Sequence, residues 1–171
     1  MNKLQKGFTL IELVIVITII AILAAIALPR YIAIQADARL AKMNAIRGAL
    51  SSAAALARAR CELDLVATPV GTCTAAGGTA NMDGTAVAML NKYPQAVLPP
   101  ALGILAAANM APGATIATAV DGVFATLAGT TITITPVGAT NPASCTVTYT
   151  SAPANGAPVI TLNAAATTAN C

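Results

Sequence analysis

Histidine and tryptophan are absent from this chain of 171 residues, and aromatic residues make up only 3% of it. Without histidine, the common histidine-based nucleophiles and histidine-ligated metal sites are excluded. Charged residues are also scarce, at 9% of the chain, whereas an ordinary soluble domain has roughly 25%. The core must therefore be built from small apolar side chains, and few residues are available for catalysis.

The remaining acidic and cysteine residues do not form a recognisable catalytic or metal-binding pattern. Asp83 and Asp121, the acidic residues of the predicted head, are isolated in the sequence, so paired-carboxylate hydrolysis has no candidate pair there. No glycine-rich phosphate loop is present, and the cysteine spacing does not fit a zinc site. A net charge of +3 is too small to indicate direct nucleic-acid binding. We therefore expect no catalytic residue, no metal and no cofactor, and we do not expect an enzyme.

Apolar residues are concentrated near the N-terminus. Residues 1–7 are short, polar and basic, and residues 8–28 form an apolar run in which Glu12 is the one charged residue. As a helix, this run is long enough to cross a bilayer core of about 30 Å. Lys3 and Lys6 precede it, so the positive-inside rule keeps the N-terminus cytoplasmic and places the rest of the chain outside. A plain membrane anchor explains the run, but it accounts for Glu12 only as a side chain that snorkels to the surface.

The segment KGFTLIELVIVITIIAILAAIALPRY resembles the N-terminus of type IV prepilins. The resemblance implies that residues 1–7 are a leader peptide, which a prepilin peptidase removes by cutting after Gly7, and that Phe8 is then N-methylated. Glu12 matches the family's glutamate at the fifth mature position, which is implied to meet the Phe8 amine of a neighbouring subunit. Pro29 matches the proline that ends the apolar part, and the helix before it is expected to unwind in filaments. Losing Lys3 and Lys6 would leave seven basic and six acidic residues.

A further resemblance concerns the branch of the family. The stretch PRYIAIQADARLAKMNAIRGAL, together with KYPQA at 92–96 and GILAAANM at 103–110, resembles the mannose-sensitive haemagglutinin pilins, a type IVa-like branch.

Apolar residues continue along the chain in steps of three and four. This spacing predicts one helix from about residue 9 to about residue 66. Its front part, 8–28, would lie in the membrane or the filament core, and its back part, 29–66, would be amphipathic and continue into a globular head. The predicted stripe consists of Leu28, Ile32, Ala36, Leu40, Met43, Ile46, Leu50, Ala54, Ala57 and Cys61.

The head is predicted in two parts. Within 67–120 we expect a Gly/Thr-rich loop over 69–84 and short helices over 85–92 and 101–110. Within 121–171, short β-rich runs, two of which alternate with a period of two, predict an antiparallel meander of three or four strands. These strands are expected at 123–127, 131–135, 145–149 and 159–162. The fold class is therefore α+β, a long helix packed on a small antiparallel sheet, and the resemblance implies the same type IV pilin fold.

Four cysteines in an exported chain favour disulfides. We favour Cys61–Cys73, which closes a short loop at the helix end, and Cys145–Cys171, which ties the C-terminal tail to the sheet. The resemblance supports the second pair, because pilins of this family often bridge their C-terminal region. The other two connectivities remain open.

The function expected from the resemblance is structural. The chain would be a major pilin that polymerises with copies of itself into a type IV pilus serving adhesion, motility or DNA uptake. Its partners would be the prepilin peptidase, the inner-membrane pilus assembly machinery and the membrane before assembly, and it would be extracellular afterwards. The alternatives are a pseudopilin of a type II secretion system and a membrane-anchored binding module that does not polymerise. Because major pseudopilins tend to carry a calcium-binding acidic cluster near the C-terminus, the absence of Asp and Glu from 122–171 favours the pilus.

Overall fold

The computed structural model describes residues 8–66 and 72–171. Its first element is helix α1, Leu10–Val66, which confirms the long helix predicted from the sequence. The chain divides into two compact units, Met1–Gln35 and Ala36–Cys171, so the helix contributes its front half to one unit and its back half to the other.

The second unit is built around the back half of α1. Met43, Ile46 and Leu50 belong to the same hydrophobic core as strand residues such as Ile132 and Tyr149. The predicted stripe is buried from Met43 onward, because there the helix has a sheet to pack against. The buried helix residues are Met43, Ile46, Leu50, Ala53, Ala54, Ala57, Cys61 and Asp64.

A three-stranded antiparallel sheet follows the helix, in the order β1-β2-β3. It comprises β1 at Gly77–Met82, β2 at Thr85–Leu90 and β3 at Tyr93–Pro94. The predicted loop over 69–84 is therefore wrong for 77–82, its residues 69–71 lie outside the described part, and the helix predicted over 85–92 is wrong.

The helix was predicted over 85–92 because Ala, Met and Leu are strong helix formers. In the structure, packing against neighbouring strands stabilises a strand there instead. Val87 and Met89 are buried while their neighbours are not, as on one face of a sheet. Asp83 and Gly84 both have positive φ and join Met82 to Thr85 by a two-residue turn. An Asp-Gly pair is a strong hairpin signal, and it was present in the sequence.

Along the chain, a short helix and a 3-10 turn separate the three-stranded sheet from the strands that follow. Helix α2 covers only Ile104–Ala107, so the predicted helix over 101–110 is real but shorter. Asn109 follows it with a positive φ of 52°, a backbone conformation that does not continue a right-handed helix. The 3-10 turn covers Ile116–Thr118.

The C-terminal part is a four-stranded antiparallel meander in the order β4-β5-β6-β7, which confirms the architecture predicted for this region. Its inner face contributes Ile132, Ile134, Val147 and Tyr149 to the core. Its outer face is rich in threonine, because these side chains alternate with the buried ones along each strand. The strands are β4 at Val123–Ala128, β5 at Thr131–Pro136, β6 at Val147–Thr150 and β7 at Val159–Leu162.

Both disulfides have the pairing that the sequence analysis favoured. Cys61 and Cys73 have Cα atoms 5.3 Å apart, and Cys145 and Cys171 have Cα atoms 5.2 Å apart. The C-terminal residue is also held by Arg39, whose Nη1 donates to the main-chain oxygen of Cys171 at 3.1 Å. Cys171 is thus tied by a covalent bond to the segment that leads into β6 and by a hydrogen bond to the helix.

Candidate functional site

The front half of α1 is the most unusual surface of the molecule. Every large apolar side chain from Phe8 to Ile34 is at least 43% exposed. By length and composition this helix could cross a membrane, and the apolar window that qualifies it lies near the N-terminus. Exposed apolar surface of this extent is unfavourable in water, so lipid or other protein chains must cover it.

The start of the helix is closed by a capping box. Glu12 Oε2 accepts hydrogen bonds from the Thr9 backbone N–H at 2.9 Å and from the Thr9 hydroxyl at 2.7 Å. In return, the Glu12 backbone N–H donates to Thr9 Oγ1 at 3.3 Å. Thr9 is therefore the N-cap residue, and Glu12 occupies the third helical position, where a carboxylate satisfies otherwise unbonded N–H groups.

Thr9 was missed by the sequence analysis, although the pattern Thr-x-x-Glu before an apolar run is a known signature of a helix start. The capping box gives Glu12 a local structural role at the helix start. A side chain that only snorkels to the membrane surface would not have this role. It also fixes where the carboxylate points. A carboxylate offers about four acceptor sites, so Glu12 can still accept a bond from a further donor.

The other predicted site residues lie as follows. Gly7, on the leader side of the predicted cleavage point, is outside the described residues. Phe8 is 89% exposed at the helix start. Pro29 lies inside the continuous helix, where it has no N–H to offer the carbonyl of Ala25 one turn earlier. One backbone hydrogen bond is therefore missing near the end of the apolar segment, which makes this turn easier to unwind.

Comparison with known proteins gives a clear result for this end of the chain. Residues 2–28 match the family model of the prokaryotic N-terminal methylation motif. The chain is 77% identical over 31 residues to PilE, a type IV major pilin protein of Neisseria gonorrhoeae, with 18% of this chain and 19% of the relative covered. It is 54% identical over 52 residues to PilA5, the type IV narrow pilus major component of Thermus thermophilus, with 30% and 45% covered.

A third relative extends the same observation. FimA, a type IV major fimbrial protein of Dichelobacter nodosus, is 74% identical over 31 residues, with 18% of this chain and 20% of the relative covered. The chain thus matches less than half of the length of each of these relatives, and no solved structure matches it. The methylation motif and the pilin relatives show that the N-terminal part of this chain is similar to type IV major pilins, and the structure adds a long helix packed on antiparallel sheets.

Proposed function

We propose that this chain is a major pilin, a structural subunit that polymerises through its N-terminal helix into a type IV pilus. The observation that carries the proposal is the exposed apolar surface from Phe8 to Ile34, on the same helix that buries its apolar side chains further along. A membrane can cover this surface in the single subunit. In a filament, the helices of neighbouring copies cover it instead. The names of the relatives, which are major pilins, support the same function.

The proposed course of assembly begins in the inner membrane, where the chain spans the bilayer once with a cytoplasmic N-terminus. A prepilin peptidase cuts between Gly7 and Phe8, and Phe8 is methylated on its new α-amine. The methylation motif matched by residues 2–28 supports this step. The inner-membrane assembly machinery then transfers the subunit into a filament on the cell surface, where the chain is a structural component rather than an enzyme.

Glu12 is proposed to direct the docking of each new subunit. The α-amine of Phe8 carries a positive charge that is unfavourable in an apolar filament core unless an opposite charge meets it. The capping box keeps the Glu12 carboxylate at the helix start, and its remaining acceptor sites suit an amine from a neighbouring copy. The pair would then help to set the stagger between subunits.

The experiment is electron microscopy of fibres sheared from the cell surface, with intact-mass and peptide analysis of their subunit. We expect thin fibres whose subunit begins with N-methylated Phe8. A fibre subunit that retains Met1–Gly7 would overturn the processing step. Absence of the chain from surface fibres, with the processed chain held in the membrane, would favour a secretion pseudopilin. An unprocessed membrane-bound chain would favour a simple anchor.

A further inference from the structure

The head carries a polar pocket of about 690 Å³ that the proposed polymerisation does not use. Four separate segments of the described chain line it: the back of α1, the loop after Cys73, the turn between β2 and β3, and the loop before β7. Among its lining residues are Arg58, Ala76, Lys92, Tyr93 and Asn155. Its volume is in the range of small-molecule sites and is sufficient for one or two sugar rings.

The guanidinium of Arg58 is held in place at this pocket by an aromatic residue. Its central carbon lies 5.1 Å from the centre of the Tyr93 ring, and its Nη1 donates to the Tyr93 hydroxyl. Tyr93 itself is buried and therefore fixed. Because a guanidinium has five N–H donors in a rigid plane, Arg58 keeps donors available for a ligand while its position is already set.

A second cation reaches the pocket from a strained turn. Asn91 and Lys92, which join β2 to β3, have φ values of 51° and 70°. Two-residue hairpin turns with positive φ at both positions strongly favour glycine at the second, and a lysine there carries a steric cost. Strain of this kind tends to mark functional positions. This turn places the Lys92 ammonium 3.2 Å from the Glu62 carboxylate, beside Arg58.

Among the described residues, Arg58, Lys92 and Glu62 leave an excess of one positive charge around the pocket. Glu62 is the carboxylate shared by the two cations, at 3.2 Å from Lys92 Nζ and 3.8 Å from Arg58 Nε. The rest of the described lining is uncharged, made of alanine, asparagine, glycine and tyrosine. Small apolar groups and amides next to a single excess cation suit a ring that bears hydroxyls and one carboxylate. A nucleic-acid site would instead need several basic residues along a strand.

We propose that this pocket binds a carboxylated sugar, as a unit of an acidic polysaccharide. Arg58 and Lys92 contact the carboxylate, and the alanine and asparagine rim contacts the ring. The site lies entirely within the head, and its binding is measured on the unassembled subunit. Failure of this proposal is therefore distinguishable from failure of the proposed polymerisation.

The test uses the full chain in detergent micelles with both disulfides intact, and measures binding by calorimetry and saturation-transfer NMR. The probes are glucuronate and N-acetylneuraminate, with glucose as the neutral ring and acetate as the bare carboxylate, each to about 10 mM so that a weak site is filled. We expect the acidic sugars to bind about ten- to a hundredfold more tightly than glucose, as one or two charge-assisted hydrogen bonds give. They should also bind more tightly than acetate, which has the carboxylate but lacks the contacts of the ring.

Three variants sharpen the test. Arg58→Gln should lower the affinity for the acidic sugars by at least about tenfold, whereas Arg47→Gln, an exposed arginine on the same helix, should leave it unchanged. Lys92→Gly removes the ammonium, so the affinity for the acidic sugars should fall. It also relieves the strained turn, so the head should keep or gain thermal stability. A purely structural role for Lys92 predicts no loss of binding.

Three outcomes would each overturn the proposal. They are equal binding of glucose or of acetate, binding of a single-stranded oligonucleotide in preference to the sugars, and no binding of the acidic sugars.

Discussion

The two halves of helix α1 have similar apolar residues and opposite surroundings. Leu23 in the front half is 62% exposed, whereas Leu50 in the back half is fully buried. In the front half apolar residues face all directions, which is typical of a helix in lipid or inside a bundle. In the back half they form a stripe, and charges such as Arg47 lie away from it. Helix formation is thus common to both halves, but only the back half stabilises the head.

This difference determines what each half contributes to stability. Burying a leucine, isoleucine or methionine contributes about 1.5–3 kcal/mol relative to leaving it exposed. Met43, Ile46 and Leu50 make this contribution within the single chain. The side chains of the front half make it only when a membrane or neighbouring subunits cover them. The following predictions test this division of roles, from the largest expected effect to the smallest.

Replacing Glu12 by Val or Gln should abolish or nearly abolish surface fibres while the head stays folded. Gln keeps the capping box, because it is also accepted at the third helical position, but it cannot neutralise the Phe8 amine. The measurement compares fibre yield with the amount of subunit held in the membrane.

Thr9→Ala is the matched control for the capping role of Glu12. It removes the hydroxyl of the capping box and keeps the charge of Glu12, so fibres should still form. Normal fibre yield from Glu12→Val would contradict the proposed pairing. A complete loss of fibres in Thr9→Ala, equal to that in Glu12→Gln, would show that helix capping matters more than charge.

Leu50→Ala should lower the free energy of unfolding of the head by about 2–5 kcal/mol, because it leaves a cavity in the core. Leu23→Ala makes the same chemical change at an exposed position and should leave head stability unchanged. Urea unfolding of both variants in detergent micelles, followed by circular dichroism, measures the difference. Equal destabilisation by the two substitutions would mean that the front half also packs on the head.

Tyr149→Phe should cost about 1–3 kcal/mol of head stability, because it leaves a buried acceptor without its donor. The Tyr149 hydroxyl donates to the carbonyl of Pro94 at 2.5 Å, which links the four-stranded sheet to the three-stranded one. Unfolding by urea near neutral pH checks this value, with Tyr31→Phe on the exposed helix front as the control. A loss below a few tenths of a kcal/mol, as expected for a surface change, would contradict a structural role for this bond.

The same residue makes head stability sensitive to alkaline pH. Burial, with a further contribution from the nearby Tyr93, raises the pKa of Tyr149 well above its ordinary value of 10.0. Above about pH 10 the unfolded chain loses this proton while the folded chain keeps it, so stability falls as the pH rises. Tyr149→Phe should remove up to about 1.4 kcal/mol per pH unit from that slope. An unchanged slope would show that other groups cause the alkaline loss.

Gly48→Ala is expected to stabilise the head by about 0.5–1 kcal/mol, the ordinary gain for this change inside a helix. A Cβ at this position would meet nothing within 4 Å in the single chain. Thermal unfolding measures the gain, and fibre yield shows whether the position is free in the filament. A stable variant that assembles poorly would indicate that a neighbouring subunit packs closely against Gly48, whereas normal assembly would mean that the glycine is merely tolerated.

Much of the fold could be predicted because the relevant signals are local. The helix of α1 follows from residue spacing, and the strands after Asp121 follow from short β-rich runs, two of which alternate with a period of two. The capping box of Thr9 and the Asp83–Gly84 turn were also readable from short patterns, although they were missed. The segment Thr85–Leu90 was different, because its composition favours a helix and only the pairing with β1 makes it a strand.

The sequence by itself determined the apolar N-terminal helix with its methylation motif and the strand positions of the C-terminal meander, since each depends on neighbours a few residues apart. Only the tertiary structure decided that the stripe is buried from Met43 onward, because burial requires a surface supplied by strands far along the chain, such as β4–β6 for Met43 and Leu50 and β1–β2 for Ala57. The pocket of Arg58, Lys92 and Tyr93 has the same origin. Its residues are ordinary in sequence, and the fold gives them a shared site by bringing the back of α1 against the β2–β3 turn.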